Sequence, residues 1–562
     1  MKTTQPSPMS GGDYVAGKPS NDDASMDRLS TLPNSVLLHV LAGLGDAAAA
    51  GRTSVLSGRW RHLWALLPEL RFVPRSPKPG LIASALAAHE ADLRNLDVTT
   101  QDAARETVAA WLRVAARRLA GSLVFTNQDV PRNGRDSDDD DGEGRRSVYD
   151  ERPRRRGVAR DDDDAKQGRG AFELPCLDRA TSVSLDLGHL GLTMPRAGAF
   201  ARLTEFSLIN AQLPGGGPCA LGDAVSSRRC PCLQRLTIMD VPGVEDLTVR
   251  SDSLRHMELT RVRDLRQLAI VAPALEHLQV LLCFYRHWPR RRPVASITAR
   301  QLKVLKWGDP FDRRSVQLGK KHLEAVCPDL FLVYGIWPNN GCLELLRCFN
   351  NIETLSLTLV HPPEIVLCEL TSKRDVTDSV QTDTVPCFYG DFQWTQDINN
   401  KPCLLKNMKM LPGVTFLNLS VISNGHAFGA SLFHVLRLCS STRKLTLHIS
   451  GKGLELEKQT ACPPGCICDE QQDWKFEELL LNHLQEVEIT ELRGYEHEVI
   501  FLKHLLGWAT ELKKMTIFFN SLVTESMARK SYQILRRFSR LEISMDFYME
   551  KSTMTVSYVP KD

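Results

Sequence analysis

The chain has 562 residues, a 43% share of hydrophobic residues and a formal net charge of +3 at pH 7. The near-neutral charge predicts no general affinity for polyanions, and no apolar run is long enough to cross a membrane. The N-terminus lacks the apolar stretch of a secretory signal, and 15 cysteines without a framework of spacings suit a reducing compartment. We therefore expect a multi-part protein of the cytoplasm or nucleus, with residues 1–25 as a disordered tail.

Residues 26–72 predict three short amphipathic helices. Pro33 stands where a helix begins, and apolar residues follow it at helical spacing: Val36, Leu37, Val40, Leu41 and Leu44. Glycines end this helix, and Asp46 can cap the second one. Ser57 can cap the third helix, whose apolar positions fall at i, i+3, i+4 and i+7: Trp60, Leu63, Trp64 and Leu67. This small unit has more apolar surface than it can bury alone, which predicts a docking module.

The same segment resembles an F-box. The residues that carry the resemblance read D-R-L-S-x-L-P-x-x-V-L over 27–37 and R-T-S-V-L-S-x-R-W-R-x-L-W over 52–64, similar to plant F-boxes that precede leucine-rich repeats. The resemblance implies docking onto a Skp-type adaptor, and through it a cullin, with apolar anchors in a helix-in-groove contact. The implied adaptor-binding residues are Leu29, Leu32, Pro33, Val36, Leu37, Leu41, Val55, Leu56, Trp60 and Trp64. Trp60 and Trp64 are alternatively internal core of the F-box.

Two stretches of different character follow. Residues 73–126 are expected to form a helical linker, with helical apolar positions over 81–125, among them Leu93. The resemblance places a strand at 122–125, at the end of this linker. Residues 127–170 contain two Asp blocks and the basic run RPRRR, which predict a disordered insertion loop. A nuclear-import or nucleic-acid role of the basic run is the alternative.

A six-residue pattern, apolar-x-x-apolar-x-apolar, recurs after residue 175. Its copies begin at Leu203, Leu233, Leu254, Leu275, Leu302, Ile352 and Val414, with weaker ones near Leu445, Leu484 and Leu512. Most spacings are about 21 to 30 residues, the range of leucine-rich repeats. Each copy predicts one short parallel strand with a return segment, and residues 171–455 predict an irregular α/β leucine-rich-repeat solenoid. The expected fold class is therefore α/β, with the three-helix F-box in front.

The polar residues of these strands are expected on the concave face of the solenoid. They are the candidates for target binding, in particular Arg235, His256, Glu258, His277, Lys303 and Lys306. Solvated strand positions without a binding role are the alternative for each of them. A large recognition surface attached to a docking module is typical of a receptor subunit.

Residues 456–548 resemble the FBD region of plant F-box proteins, and residues 549–562 are expected as a tail. The carrying residues read C-P-P-G-C-I-C-D over 462–469, H-L-Q-E-V-E-I-T-E-L-R-G over 483–494 and L-K-K-M-T-I over 512–517. We expect this region to close the solenoid and to contain a helix over 499–508. Cys462, Cys466 and Cys468 could give three zinc thiolates, but a structural site needs a fourth ligand, so loop thiols are expected and zinc is the alternative.

Motifs of common enzymes are absent from the sequence. It has no P-loop, no G-x-G-x-x-G after a strand, no H-E-x-x-H and no G-x-S-x-G. We therefore expect no catalytic residues, no metal and no cofactor. The expected function is substrate recognition in an SCF-type cullin–RING ubiquitin ligase. The alternatives are a scaffold that binds partners without ligase assembly, and a nucleic-acid-associated protein that uses the basic run.

Overall fold

A computed structural model describes most of the chain outside the N-terminal tail. The described residues are 32–73, 80–128, 170–213, 220–284, 292, 294–309, 311–319, 322–328, 331–332, 339–349, 351–361, 410–423, 426–450, 474–551 and 554–557. Leu29, the charged insertion and the Cys462, Cys466 and Cys468 cluster lie outside them. Among the described residues, no helix combines the length and apolar character that crossing a membrane requires.

The N-terminal unit contains the three predicted helices: α1 (Asn34–Ala42), α2 (Ala47–Arg52) and α3 (Gly58–Leu63). The predicted cap of α2 is confirmed, because the Asp46 carboxylate accepts the backbone N–H of Ala48 and of Ala49, each at 3.1 Å. Ser57 is the residue before α3, but its side chain makes no capping hydrogen bond.

The connection to the repeats alternates helix and strand. Its elements are β1 (Glu69–Phe72), α4 (Gly80–Ala88), β2 (Leu93–Gln101), α5 (Arg105–Ala115) and β3 (Leu119–Gln128). The expected strand at 122–125 lies within β3. The prediction of helix is wrong for β2, where Leu96 and Val98 are buried two residues apart and therefore face the core in strand geometry.

The main sheet has 18 strands among the described residues, and it begins with β1, β2 and β3. Its further strands are β5 (Ser182–Asp186), β7 (Glu205–Ile209), β8 (Arg235–Met239), β10 (His256–Thr260), β12 (His277–Leu281), β14 (Val304–Trp307), β16 (His322–Pro328), β17 (Phe331–Leu332), β18 (Asn351–Val360), β19 (Phe416–Ile422), β20 (Lys444–Ser450), β21 (Glu486–Leu492), β22 (Lys514–Phe519), β23 (Ser544–Lys551) and β24 (Met554–Ser557). Successive strands pair in parallel, and β24 joins β23 antiparallel at the end.

Return segments form the remaining elements. A second sheet consists of β9 (Asp246–Arg250), β11 (Gln267–Val271), β13 (Val294–Thr298) and β15 (Val316–Leu318), and β4 (Ala171–Glu173) pairs with β6 (Gly191–Thr193). The helices are α6 (Ala220–Ala224), α7 (Asn339–Leu346), α8 (Gly429–Leu438), α9 (Glu496–Trp508) and α10 (Glu525–Phe538). Helix α9 contains the predicted helix at 499–508. The sequence pattern did not predict the second sheet.

The core is a continuous apolar layer on one face of the main sheet. The apolar positions of each six-residue copy alternate along its strand, so that Leu236 and Ile238 of β8 are fully buried. The second half of each of the ten copies lies on a strand of the main sheet, as predicted. The chain is therefore an α/β protein with N-terminal helices and a long parallel sheet of solenoid type.

Four strands that are neighbours in the main sheet end in the same strained turn. The residue directly after β7, β8, β10 and β12 has a positive φ, and none of the four is glycine: Asn210, Asp240, Arg261 and Leu282. Polar contacts between neighbouring turns support this geometry. The Asn210 amide donates to Asp186 at 2.9 Å, and Arg261 forms an ion pair with Asp240.

Candidate docking surfaces

The predicted adaptor-binding residues divide into a buried and an exposed group. Leu37, Leu41 and Trp60 are at most 6% exposed and belong to the core of the N-terminal unit itself. Trp64 is half-buried, with its ring centroid 6.3 Å from that of His89. The structure therefore gives the buried group a packing role. Adaptor docking through these residues stays a prediction, because they offer little accessible surface.

The exposed group offers uncovered apolar surface. Val55 is 85% exposed and Leu56 is 63% exposed, at the short turn between α2 and α3. Val36 and Val40 lie one helical turn apart on α1 and are both more than 40% exposed, as is Leu44 just beyond the helix. Apolar side chains with this exposure remain in contact with water unless another surface covers them.

An arginine that the sequence pattern did not single out fixes the edge of this surface. Arg59 of α3 donates from Nε to the Asn34 side-chain oxygen at 2.8 Å, and its guanidinium also donates to the carbonyl of Leu32. These bonds join the start of α1 to α3. Leu32 is half-buried and Pro33 is exposed beside them, so this edge has a defined shape before any partner binds.

The N-terminal unit is attached to the solenoid by strand pairing. Strand β1 pairs in parallel with β2, with Leu70 opposite Leu96 and Phe72 opposite Val98. The fully buried His89 also lies at this joint, and burial lowers its pKa. Because β1 is the first strand of the main sheet, the helices are held in a fixed position relative to the repeats.

Some of the target-binding candidates form one row on the polar face of the main sheet, which we define as the side opposite the apolar core. Register places Arg235, His256 and His277 side by side on β8, β10 and β12. The two imidazole rings stack with centroids 4.5 Å apart, and Arg235 forms a 2.7 Å ion pair with Glu205. Desolvation, the neighbouring imidazole and the nearby guanidinium lower the pKa of His256.

The two lysine candidates have different surroundings. Lys303 lies just before β14 and forms a 3.2 Å ion pair with Glu276, which also pairs with Arg255 at 3.0 Å. Lys306 lies on β14 and shares a second row with Gln279 and Glu258. The structure therefore does not bring the six candidates together as one cluster.

The second row leads into an open groove of about 410 Å³ on the polar face. We call it the Lys306 groove, and its central lining residues are Gln279, Lys306, Cys327, Ser356, Asn418 and Thr446. They come from six successive strands, β12, β14, β16, β18, β19 and β20. Of the six candidates singled out above, Lys306 lines it, and the other five do not. Among the described residues, no group of three or more His, Cys, Asp or Glu side chains is arranged to hold a metal ion.

Comparisons with known proteins agree with this architecture. The family model described as FBD matches residues 478–517, which contain β21, α9 and most of β22. A putative F-box/FBD/LRR-repeat protein of Arabidopsis thaliana is 24% identical over 524 residues, covering 90% of this chain and 91% of the relative. F-box/LRR-repeat protein 25 of the same plant is 42% identical over 67 residues, 12% of this chain and 26% of the relative.

These matches define the kind of protein that the fold and surfaces indicate, a leucine-rich-repeat solenoid with an N-terminal helical unit. A further F-box/FBD/LRR-repeat protein of Arabidopsis thaliana is 49% identical over 51 residues, 9% of this chain and 11% of the relative. The chain carries a C-terminal FBD domain and is similar along 90% of its length to one plant protein named as a putative F-box/FBD/LRR-repeat protein. The resemblance drawn from the sequence motifs is confirmed.

Proposed function

We propose that this chain is the substrate-recognition subunit of an SCF-type cullin–RING ubiquitin ligase. It binds a Skp-type adaptor through residues 26–72 and a target protein through the polar face of the repeats. It contributes no catalytic residue. Support comes from the F-box names of its relatives, from the uncovered apolar surface and from the fixed joint between the two parts.

The observation that carries the proposal is the exposure of Val55 and Leu56. Covering one such side chain completely contributes about 1.5–3 kcal/mol of transfer free energy before the costs of association. A few anchors of this kind can supply most of the affinity of an interface. Val36 and Val40 extend the same type of surface onto α1, so the unit has the apolar anchors that helix-in-groove binding requires.

The strand joint gives the receptor role its mechanism. A target held on the repeats is placed at a set distance and orientation from the adaptor, because β1 belongs to the same sheet as the repeats. Holding two reacting partners in a fixed arrangement raises their effective concentration without any chemistry in the receptor. Transfer of ubiquitin is then the work of other subunits.

Co-purification with a Skp-type adaptor tests the proposal. The intact chain retains the adaptor, and the double variant Val55→Asp with Leu56→Asp loses it, because two charges enter the apolar contact. Both positions are exposed, so the variant keeps its thermal unfolding midpoint. Leu541→Asp is the matched control, since Leu541 is a fully exposed leucine far along the chain and its variant retains the adaptor.

Adaptor binding that survives in the Val55 and Leu56 double variant contradicts this docking site. A wild-type chain that binds no Skp-type adaptor contradicts the ligase role and favours the second candidate, a leucine-rich-repeat scaffold that binds a partner without ligase assembly. The polar groove on the repeats favours that second candidate as well, because it needs no adaptor to receive a ligand.

A further inference from the structure

The Lys306 groove has neutral hydrogen-bonding side chains along most of its length. Four of its central lining residues are amides or hydroxyls: Gln279, Ser356, Asn418 and Thr446. Strand register sets their order, because Gln279 is opposite Lys306 and Asn418 is opposite both Ser356 and Thr446. They therefore form one row that crosses six parallel strands.

Contacts with neighbouring side chains orient several of these groups before a ligand binds. The Asn418 amide donates to the Ser356 hydroxyl at 3.2 Å, and the Gln279 amide donates to Thr260 at 3.2 Å. Each amide keeps its carbonyl oxygen and a second N–H for another partner. A row of donors and acceptors with fixed orientation suits the N–H and C=O groups of an extended backbone.

Charge singles out one of the side chains that line the groove. Lys306 is exposed and has no ion-pair partner among the described residues, unlike Lys303 and Lys444, which pair with glutamates. Carboxylates flank the row on both sides: Glu258 is opposite Gln279 beyond the β12 end, and Glu488 is opposite Thr446 beyond the β20 end, 3.9 Å from the Lys444 ammonium. Among the described residues that line the groove, Lys306 is the one Lys, Arg, Asp or Glu side chain, so the groove offers a single unpaired cation between neutral side chains.

We propose that the Lys306 groove binds an extended protein segment of about seven residues with one acidic side chain placed against Lys306. Six strands at ~4.8 Å spacing span about 24 Å, which seven extended residues at ~3.4 Å cover. This inference rests on the receptor role proposed above and names the class of target segment. It identifies Lys306 as the residue that determines specificity.

A protein segment fits the groove better than a nucleic acid does. Nucleic acids carry a phosphate charge at every nucleotide and need several Lys or Arg side chains along their path. The described residues that line the groove include one lysine and no arginine, and the carboxylates of Glu258 and Glu488 flank its row. A segment with one carboxylate and an otherwise neutral backbone matches this distribution of charge.

Selection from a phage-displayed library of random seven-residue peptides tests the proposal on the full chain. We expect the wild-type chain to enrich peptides with Asp or Glu at one position near an end. In Lys306→Met this preference is lost, and the affinity for peptides selected on the wild type falls at least tenfold. Lys306→Glu is expected to select peptides with Lys or Arg at the position where the wild type selects Asp or Glu. Lys303→Met is the matched control, since its lysine is three residues away but already paired, and it keeps the acidic preference.

A thiol in the groove reports where a selected peptide binds. Cys327 lines the groove opposite Lys306 and is half-buried, whereas Cys232 is exposed and lies outside it. We expect a selected peptide to slow alkylation by iodoacetamide at Cys327 at least fivefold, with no change at Cys232. The rate at each cysteine is measured by mass spectrometry of the digested chain.

Several outcomes overturn the proposal. The acidic preference could persist in Lys306→Met, or Lys303→Met could lose it to the same extent. The wild-type chain could enrich no peptides beyond those enriched on Lys306→Met. A single-stranded oligonucleotide, instead of the peptide, could protect Cys327 from alkylation. Failure here leaves the adaptor interaction intact in the co-purification experiment. Failure of the ligase role leaves the peptide preference intact, because the groove and the N-terminal unit are measured separately.

Discussion

Glu498 combines deep burial with an ionisable group. Its carboxylate is 2% exposed at the start of α9, and Oε2 accepts the backbone N–H groups of Arg493, Gly494 and Tyr495 at 2.7–3.1 Å. These bonds and the Arg493 guanidinium favour the ionised form, whereas burial favours the neutral one. Burial has the larger effect and raises the pKa of Glu498 to about 7.

This raised pKa predicts a specific pH dependence of stability. The unfolded chain releases the proton of Glu498 near its ordinary pKa of 4.5, and the folded chain holds it until about pH 7. The folded state therefore binds more protons between these values, so the contribution of Glu498 to the free energy of unfolding falls as pH rises through this range. Glu498→Gln removes the contribution, and its stability relative to wild type increases from pH 5 to pH 8.

Urea unfolding followed by tryptophan fluorescence at several pH values measures this difference. Glu496→Gln is the matched control, because Glu496 is an exposed glutamate two residues earlier in the same helical turn. The control keeps the pH profile of the wild type. A Glu498→Gln profile parallel to that of the wild type would show that the carboxylate titrates as it does in the unfolded chain.

The two lysines of the β14 region illustrate what the sequence could predict for single residues. Lys303 and Lys306 were equal candidates, since both belong to the same six-residue copy. Their difference depends on Glu276, which lies 27 residues before Lys303 and comes within 3.2 Å of it only through the strand register. The sequence pattern predicts which residues share one face of the sheet. It does not predict ion pairs between repeats, because these depend on how the strands stack.

At the scale of elements, the main-sheet strands were predictable because burial on one face imposes a two-residue period. The return strands carry a weaker signal. Strand β11, for example, buries Leu268 and Ile270 but exposes Val271, so its apolar residues do not mark one face cleanly. The sequence pattern predicts a helix where β2 lies, because Leu93 also fits a helical spacing. Only its pairing with β1 and β3 decides between the two.

Two glycines in helices of the C-terminal part of the chain are expected to respond in opposite ways to substitution by alanine. A Cβ added at Gly507 of α9 meets no atom within 4 Å, whereas one at Gly429 of α8 lies 2.3 Å from the Trp474 ring. Gly507→Ala should stabilise the chain by about 0.5–1 kcal/mol, because alanine loses less backbone entropy in a helix. Gly429→Ala should destabilise it by about 1–3 kcal/mol through overpacking.

Urea denaturation midpoints of the two variants check this pair of predictions. Combining Gly429→Ala with Trp474→Leu separates the cause, because a smaller side chain makes room for the new methyl group and reduces the additional cost of the alanine. Equal effects of the two single substitutions would mean that the packing around Trp474 yields without cost.

At the scale of the whole molecule, the described strands of the main sheet form a linear series in which each strand pairs with its neighbours in the sheet. The sequence predicted the two ends and the repeats between them from motifs. It did not predict which residues of the N-terminal unit remain accessible, because Leu37 and Val36 are adjacent in the same apolar stripe and only the packing of α1 on α3 separates them. Burial within the unit leaves the turn at Val55 and Leu56 as its most exposed apolar surface.

The linear arrangement of strands predicts how far a destabilising substitution in β1 affects the rest of the sheet. Leu70 and Phe72 of β1 are each 2% exposed, and replacing both with alanine removes core contacts worth about 2–5 kcal/mol apiece. In a one-dimensional stack this loss weakens the nearest units, so hydrogen exchange should accelerate in α1–α3, β1 and β2 and remain unchanged from β10 onward. Arg71→Ala, which changes an exposed residue of the same strand, is the control and leaves all rates nearly unchanged. Exchange that accelerates equally along the whole sheet would instead show one cooperative unit, in which the N-terminal helices and the distant repeats unfold together.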